Sequence, residues 1–299
     1  MPELRKAVIP VAGFGTRFLP VTRAVPKMLL PVLDTPGLQF AVDEALESGI
    51  DHLVFVISEG QEAINTYFDR LTELEDTLQQ QGKLDLLNRM IEIAETSRIS
   101  YVYQHERRGI GHAILQARPL VGEEPFAVLF PDDLIWHESP TISSMIDIYT
   151  ETNGIVVAVE EVANSLVSSK GIVSVSASDG RRYVIDEMVE KPTLEDAPSN
   201  LAIVGRYILT ASIFDEIERT KPGVGEEIQI TDAISGLLFR QQAYAYRFPG
   251  THFDIGEPLG MLQASIFAAL NREDMSEELR AWMFNLGDDP RWRRHVGDE

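Results

Sequence analysis

The 299-residue sequence contains no cysteine. This absence excludes disulfide bonds, cysteine-ligated zinc, iron–sulfur clusters and thiol nucleophiles, and it leaves the compartment undetermined by redox chemistry. No apolar run approaches the roughly 20 residues that a membrane-spanning helix needs. The first residues, Met1 to Lys6, lack the apolar stretch of a signal peptide. We therefore expect a cytoplasmic protein with no membrane partner.

Positive charge is also scarce, since the chain has 26 Lys and Arg but 47 Asp and Glu, giving a net charge of −21. An acidic surface repels nucleic-acid phosphates, so we expect no nucleic-acid partner. Phosphorylated small molecules would need a local group of cations or a metal ion. Hydrophobic residues make up 44% of the chain, which is enough for a sizeable core.

Apolar runs alternate with segments of helical spacing in the first 160 residues. Buried strands are predicted at 7–12, 52–57, 100–103, 126–130 and 155–159. Helices are predicted between them, at 38–46, 61–68, 111–117 and 141–149. This order predicts an α/β fold with a Rossmann-like, mostly parallel sheet flanked by helices. Ligands bind such sheets beyond the carboxyl ends of the strands.

Strands become more frequent after residue 165, which predicts a β-rich portion on the same sheet. We expect one domain over residues 1–270, with a first half at 1–165 and a second half at 166–257. Residues 71–97 are charged and glutamine-rich, and their pattern predicts a helical insertion on the surface. Residues 271–299 are predicted to form a C-terminal helical arm.

A glycine turn, Gly13-Phe14-Gly15-Thr16-Arg17, follows the first strand. Glycines let the backbone approach a ligand closely, and successive N–H groups in such a turn can hold an anion. Phe18 stands where a dinucleotide fingerprint needs its third glycine, which disfavours an NAD-binding oxidoreductase. Farther along, Lys27 lies between two prolines that stiffen its loop, and it can be aimed back at the glycines.

Several separated motifs, in order, resemble the bacterial UTP–glucose-1-phosphate uridylyltransferase family. They are Gly13-Phe14-Gly15-Thr16-Arg17-Phe18-Leu19-Pro20, Pro26-Lys27, Leu30-Pro31, Glu190-Lys191-Pro192, the run from Asn200 to Tyr207, and the run from Glu227 to Ala233. The likeness extends to about residue 270. It implies a nucleotidyltransferase fold with a β-rich sugar-binding portion. It also implies Mg²⁺-dependent transfer of UMP from UTP to glucose 1-phosphate, without a covalent intermediate, in a homo-oligomer (dimer or tetramer).

The resemblance also implies roles for individual residues. Arg17 and Lys27 would bind the triphosphate, and Lys191 the sugar phosphate. Asp132 would be the principal Mg²⁺ ligand and Asp254 a second one. The nucleotide side would consist of Ala12, Gly13, Gly15, Gln104, Gly109 and Asp133. The sugar-phosphate side would consist of Gly171, Glu190, Lys191, Val204 and Gly205.

The residue types agree with this chemistry, but some of them would also fit purely structural roles. Adjacent carboxylates such as Asp132 and Asp133 are best tolerated beside a cation, although the pair could instead cap a following helix. His112 fits a hydrogen-bonded structural histidine better than a catalytic acid.

The family pattern has a glutamate where this chain has Met28, an aromatic in the segment that here ends in Lys170, and a cysteine where it has Ile255. Two alternatives therefore stay open. One is an enzyme for dTTP or another sugar 1-phosphate, and the other is a non-catalytic paralogue that binds ligands and regulates a partner.

Overall fold

The computed structural model describes residues 3–83 and 87–288, so part of the predicted insertion and of the predicted C-terminal arm lies outside the described residues. The strands are β1 (Lys6–Pro10), β2 (Pro31–Val32), β3 (Thr35–Pro36), β4 (His52–Ile57), β5 (Arg98–Tyr103), β6 (Phe126–Leu129), β7 (Asp133–Trp136), β8 (Ile155–Glu161), β9 (Gly171–Asp179), β10 (Arg182–Glu190), β11 (Leu201–Leu209), β12 (Ala243–Arg247) and β13 (Thr251–Asp254).

The helices are α1 (Gly37–Glu47), α2 (Ala63–Phe68), α3 (Thr72–Gln80), α4 (Asn88–Thr96), α5 (Ile110–Gln116), α6 (Arg118–Val121), α7 (Thr141–Thr152), α8 (Asn164–Val167), α9 (Ser212–Arg219), α10 (Ile230–Leu237), α11 (Pro258–Leu270) and α12 (Ser276–Asp288). Helices α3 and α4 lie in the predicted insertion, and α12 in the predicted arm. In the described part of the chain, no helix combines the length and the apolar character needed to cross a membrane.

Nine strands of the described chain form one sheet in the order β5-β4-β1-β6-β11-β8-β12-β10-β9. Strands β5, β4, β1 and β6 pair in parallel, as does β8 with β12. Strands β11 and β10 run the opposite way, and both of their neighbours pair with them antiparallel. The α/β prediction is confirmed, and most strands share one direction. The ladder itself is mixed, because the β-rich half contributes the two reversed strands.

Helices cover both faces of the sheet, which explains why most residues of its central strands are apolar. In β4, Leu53 and Phe55 pack on the face with α1 and α7, while Val54 packs on the face with α5, α9 and α10. This alternation follows from the two-residue period of a strand. Each fully buried side chain of this kind contributes roughly 1.5–3 kcal/mol, so the strand ends are held firmly where ligands bind.

After Asp132 the structure has a strand, where one alternative from the sequence placed a helix capped by the carboxylate pair. Strand β7 begins at Asp133 itself, so the carboxylate pair caps no helix there. Strand β7 pairs antiparallel with β13, with Asp133 opposite Asp254. The prediction missed β7 and β12, because both are short and carry polar or aromatic residues. This small ladder brings Asp254 beside Asp132 despite their distance in sequence.

Candidate active site

The glycine turn and the Lys27 loop are packed directly against each other. Gly15 has a φ of +62°, and a Cβ there would lie 2.8 Å from Cβ of Lys27 and 3.0 Å from Cγ2 of Thr22. The Thr22 hydroxyl donates to the carbonyl oxygen of Gly15 at 2.8 Å. A side chain at position 15 would therefore push the lysine loop away from the turn, and only glycine also adopts this backbone without strain.

A cleft of about 450 Å³ opens at the carboxyl ends of the strands. It brings together eight of the residues predicted from the sequence: Ala12, Gly13, Gly15, Lys27, Gln104, Gly109, Asp132 and Lys191. Met28 and Arg107 line it as well. The site therefore combines a backbone turn, two lysines and a carboxylate, and it lies where α/β sheets bind their ligands.

The two candidate metal ligands border one small space beside Lys27. Nζ of Lys27 donates to Oδ2 of Asp132 at 2.8 Å. A Cβ built on Gly256 would lie 2.9 Å from Oδ1 of Asp254, 3.1 Å from Oδ2 of Asp132 and 3.3 Å from Nζ of Lys27. All three polar atoms thus surround one small space, which the absence of a side chain at Gly256 keeps open.

The carboxylate chemistry of this space fits a hard cation. Burial raises the pKa of Asp254, and the charges of Asp133 and Asp132 add to the increase, while Lys170 opposes it. In the described residues, no group of three or more His, Asp or Glu side chains is arranged to hold a metal. Two carboxylates suit Mg²⁺, which takes its remaining ligands from water and substrate phosphates.

Asp133 lies behind the cleft and does not line it. Its Oδ1 is 2.9 Å from Nε2 of His252, and its Oδ2 accepts from the Gly205 amide at 3.0 Å. Burial works to raise the pKa of Asp133, but the His252 contact and the charges of Lys170 and Arg206 hold it below the usual range. Both oxygens thus have partners inside the protein. The predicted nucleotide contact of Asp133 stays a prediction, and its observed contacts are internal.

His252 connects Asp133 to a second, partly buried acid, Glu160. Nδ1 of His252 is 2.7 Å from Oε1 of Glu160, and the histidine side chain is only 6% exposed. Burial alone would lower the pKa of His252, but hydrogen bonds to Asp133 and Glu160 outweigh burial and raise the pKa to about 9. The protonated ring therefore joins two carboxylates directly behind the candidate metal ligands.

The predicted sugar-phosphate residues form a neighbouring group. Oε2 of Glu190 accepts from the Thr231 hydroxyl at 2.7 Å, and a Cβ on Gly171 would lie 3.0 Å from each of these oxygens. A Cβ on Gly205 would collide with Oδ2 of Asp133. The Val204 side chain is buried in the core, so only its backbone is available to a ligand.

Lys191 joins this group to the cleft. Its Nζ lies 3.5 Å from Oε1 of Glu190, and its amide donates to the carbonyl oxygen of Lys170 at 3.0 Å. Its φ of +46° is an unusual conformation for lysine. The backbone therefore turns sharply at this residue and directs the chain out of β10 at the cleft.

Arg17 is not brought into the cleft with Lys27, Asp132 and Lys191. Its side chain is 61% exposed, and its Nε lies 3.1 Å from Oε1 of Glu257. Arg17 lies in the 3-10 turn Thr16–Phe18, directly after the glycine turn. Its role as a triphosphate ligand stays a prediction, and in this structure its partner is an acidic side chain.

The nucleotide-side segment is fixed by Gln104 and Gly109. Nε2 of Gln104 donates to the carbonyl oxygen of Gly109 at 3.2 Å and lies 3.1 Å from Nδ1 of His112. Gly109 has a φ of +99°, and a Cβ there would lie 2.8 Å from the backbone N and O of Ile228. Burial, with the charge of Arg108, lowers the pKa of His112. A neutral, hydrogen-bonded ring is the state expected of a structural histidine.

Sequence reasoning missed several side chains at or behind the site. Glu160 gives no local signal, because it meets His252 across 92 residues of sequence. Arg206 is 1% exposed and donates to Glu44 at 2.9 Å and to the carbonyl oxygen of Phe130 at 2.9 Å. Its place inside an apolar strand was the available signal, since a buried charge needs partners. The signal for Arg107 was its position two residues before Gly109.

Comparison with known proteins agrees with this geometry. The nucleotidyl transferase family model matches residues 6–270. A UTP–glucose-1-phosphate uridylyltransferase of Staphylococcus epidermidis is 45% identical over 286 residues, covering 96% of this chain and 99% of the relative. One of Staphylococcus saprophyticus is 46% identical, covering 93% of this chain and 96% of the relative.

Solved structures agree as well. A UTP-bound UGPase from Acinetobacter baumannii is 40% identical, with a TM-score of 0.86 over 95% of this chain and 99% of that one. A UDP-glucose pyrophosphorylase complexed with UDP-glucose is also 40% identical, with a TM-score of 0.82 over 90% of this chain and 100% of that one. Matches of this extent confirm the resemblance found in the motifs. The chain belongs to the nucleotidyl transferase family and, within it, to the bacterial UTP–glucose-1-phosphate uridylyltransferases.

Proposed function

We propose that this enzyme transfers UMP from UTP to glucose 1-phosphate, releasing UDP-glucose and pyrophosphate. The observation that carries the proposal is the convergence of Lys27, Lys191 and Asp132 on one cleft beside the glycine turn. Relatives of nearly the same length bear the name of this activity, and similar structures hold UTP or UDP-glucose. These names and ligands support UTP and a glucose-linked substrate for the same cleft.

The reaction brings together two phosphorylated molecules that repel each other. The attacking oxygen belongs to a phosphate that is already anionic, so the protein needs neither a nucleophile nor a general base. It needs cations and an in-line arrangement of the reacting groups. Lys27 and the amides of the glycine turn would hold the triphosphate, and Lys191 would hold the sugar phosphate. Both lysines line the cleft, so they can serve the two substrates simultaneously.

Asp132 and Asp254 would hold Mg²⁺ in the space that Gly256 leaves open. When bound, the ion would neutralise phosphate charge. Lys27 donates to Oδ2 of Asp132, so the lysine and the ion would share this carboxylate. Glu190, whose second oxygen accepts from Thr231, would keep acceptor capacity for sugar hydroxyls. The buried Asp133 would fix the Gly205 backbone that the sugar side uses.

A panel of substrates tests the proposal. The full chain is incubated with each pairing of UTP or dTTP with glucose 1-phosphate or another hexose 1-phosphate, with Mg²⁺ or with EDTA. Pyrophosphate release is then measured. We expect the highest kcat/KM for UTP with glucose 1-phosphate, and no turnover with EDTA. Preference for dTTP, or for a different sugar phosphate, would replace the proposed substrates while leaving the reaction type in place.

Thermal stabilisation, recorded with the same ligands, separates an enzyme from a regulatory paralogue. A non-catalytic ligand-binding protein would be stabilised by UTP yet release no pyrophosphate with any pairing. Asp132 in one cleft with Lys27 and Lys191 favours the enzyme. A carboxylate that held no metal ion would repel bound phosphates, whereas one that holds Mg²⁺ serves phosphoryl transfer. Binding without turnover would contradict the proposal.

A further inference from the structure

Lys170 places a cation beside Asp254, the second candidate metal ligand. Its Nζ lies 3.9 Å from Oδ2 of Asp254, and the Lys170 side chain is only 22% exposed. At 3.9 Å the two groups attract each other by charge but do not share a hydrogen bond. The large cleft is lined by Lys27 and Lys191 and not by Lys170, so this third lysine lies on the Asp254 side of the site.

The backbone of Lys170 is fixed by the ladder between β9 and β10. Lys170 directly precedes β9, whose first residue, Gly171, pairs with Glu190 at the end of β10. The carbonyl oxygen of Lys170 accepts from the Lys191 amide at 3.0 Å. The two lysines thus leave the same end of this ladder, and Lys191 lines the cleft while Lys170 extends to Asp254. A lysine side chain is long and flexible, so the Lys170 ammonium group can move while the strands stay in place.

The two candidate metal ligands hold their lysines differently. Oδ2 of Asp132 accepts a hydrogen bond from Lys27 at 2.8 Å. In Asp254, Oδ1 accepts from the Gly256 amide at 3.0 Å, whereas Oδ2 faces Lys170 at 3.9 Å. Hydrogen bonds between charged groups are among the stronger ones in proteins, so Lys170 is the easier of the two lysines to displace.

A divalent ion and Lys170 would compete for Asp254. Oδ1 of Asp254 and Oδ2 of Asp132 border the space that Gly256 keeps open, which is the space proposed for Mg²⁺. An ion held there by Asp254 would lie close to the Lys170 ammonium group, and like charges repel. Asp254 is 40% exposed and Lys170 is more buried, so solvent and salt screen this repulsion only in part.

We propose that Lys170 is a displaceable counter-ion of Asp254, which weakens the binding of a divalent cation to the free enzyme. The lysine neutralises Asp254 while no ion is bound, and its ammonium group moves aside when an ion takes that carboxylate. The free enzyme therefore binds the ion more loosely than the two carboxylates alone would allow. This inference rests on the proposed function for the metal site at Asp132 and Asp254, but it is tested on the free enzyme without turnover.

Binding of Mn²⁺ to the free full-length chain, followed by the electron paramagnetic resonance signal of the unbound ion, tests the role of Lys170. Mn²⁺ stands in for Mg²⁺ because both ions suit carboxylate and water ligands. K170Q should bind Mn²⁺ about 10-fold more tightly than the wild type, because it removes a positive charge beside the ion. K170R keeps the charge and should show no such gain.

Two further variants separate this effect from a general change in charge or in structure. K83Q is the matched control, because Lys83 is exposed and follows α3 in the insertion. It removes the same charge and should change the Mn²⁺ affinity by less than about 2-fold. D254N removes the carboxylate for which the lysine and the ion compete. The gain from K170Q should therefore disappear when D254N is compared with the double variant K170Q/D254N.

Unchanged or weaker Mn²⁺ binding by K170Q would overturn the proposal. An equal gain in K83Q, or a gain that persists without the Asp254 carboxylate, would overturn it too, as would a lack of Mn²⁺ binding by both the wild type and K170Q. If K170Q binds Mn²⁺ more tightly but no substrate pair is turned over, the proposed function fails and the role of Lys170 stands. If UDP-glucose forms but K170Q gains no Mn²⁺ affinity, only the role of Lys170 fails.

Discussion

Replacing His252 by glutamine removes the cation from the buried cluster behind the candidate metal ligands. His252 touches Asp133 at 2.9 Å and Glu160 at 2.7 Å, and its side chain is 6% exposed. In H252Q, two carboxylates would share this interior with one neutral amide. Removing one member of a buried ion cluster costs roughly 3–5 kcal/mol, because the remaining charge stays desolvated and unpaired.

The pKa of His252 gives a second route to the free energy of unfolding that H252Q would lose. A rise from the ordinary value of 6.5 to about 9 in the folded state corresponds to about 3 kcal/mol at ~1.4 kcal/mol per pH unit. The folded pKa is the higher one, so this stabilisation is fully present below pH 6.5. It is lost as pH rises through about 9. Both routes predict a cost near 3 kcal/mol in mildly acidic buffer.

Urea unfolding of wild type and H252Q from pH 6 to pH 9.5 measures this difference. We expect a gap in the free energy of unfolding of about 3 kcal/mol at pH 6, shrinking steadily toward pH 9.5. H137Q is the control, because His137 is exposed and its ring hydrogen-bonds the backbone of Ser139 instead of a carboxylate. A gap that is independent of pH, or one under about 1 kcal/mol at pH 6, would refute the charged-cluster reasoning.

Four further predictions concern the site and the assembly. D132N should keep the wild-type far-UV circular dichroism but lose about 100-fold or more in kcat, and near-normal turnover would remove this residue from the metal site. K191M should raise the KM for the sugar phosphate by about 10-fold or more with little change in the KM for UTP, and the reverse pattern would reassign the lysine. G109A should lower the free energy of unfolding by about 1–3 kcal/mol, because its Cβ would meet the Ile228 backbone at 2.8 Å; unchanged urea unfolding would contradict this strain. Light scattering should show a dimer or tetramer, since α12 exposes Trp282 and Phe284, and a monomer would contradict that expectation.

Much of the architecture could be read from local patterns. Strand β4 is buried at every position, and apolar from Leu53 to Ile57, because both of its faces are covered. Helices α1 and α7 show the spacing of a helix with one buried face. The direction of β11 could not be predicted in the same way. Hydrophobic spacing reports burial, whereas the direction of a strand depends on which neighbours it meets in the folded chain.

The site was predictable where one segment carries the chemistry. Lys27 and Asp132 follow from a loop motif and from a carboxylate at the end of a strand, and they lie 2.8 Å apart. The side chains behind them depend on contacts between distant segments, as when Glu160 meets His252. For Arg17, the motif predicts the location of the turn but not the position of the side chain. Its motif marks the correct turn, but the turn geometry and Glu257 determine where the guanidinium lies.

Strand β11, which carries Val204 and Gly205 of the sugar side, hydrogen-bonds directly to β6, which leads to Asp132. The two halves of the enzyme therefore share one continuous hydrogen-bonded sheet, and at that point no hinge separates them. Opening and closing around substrates would have to come from the segments that leave the sheet, chiefly those of Lys27 and Lys191. Stiffening either segment should slow the entry and release of ligands. It should not displace the strand ends that position the reacting groups.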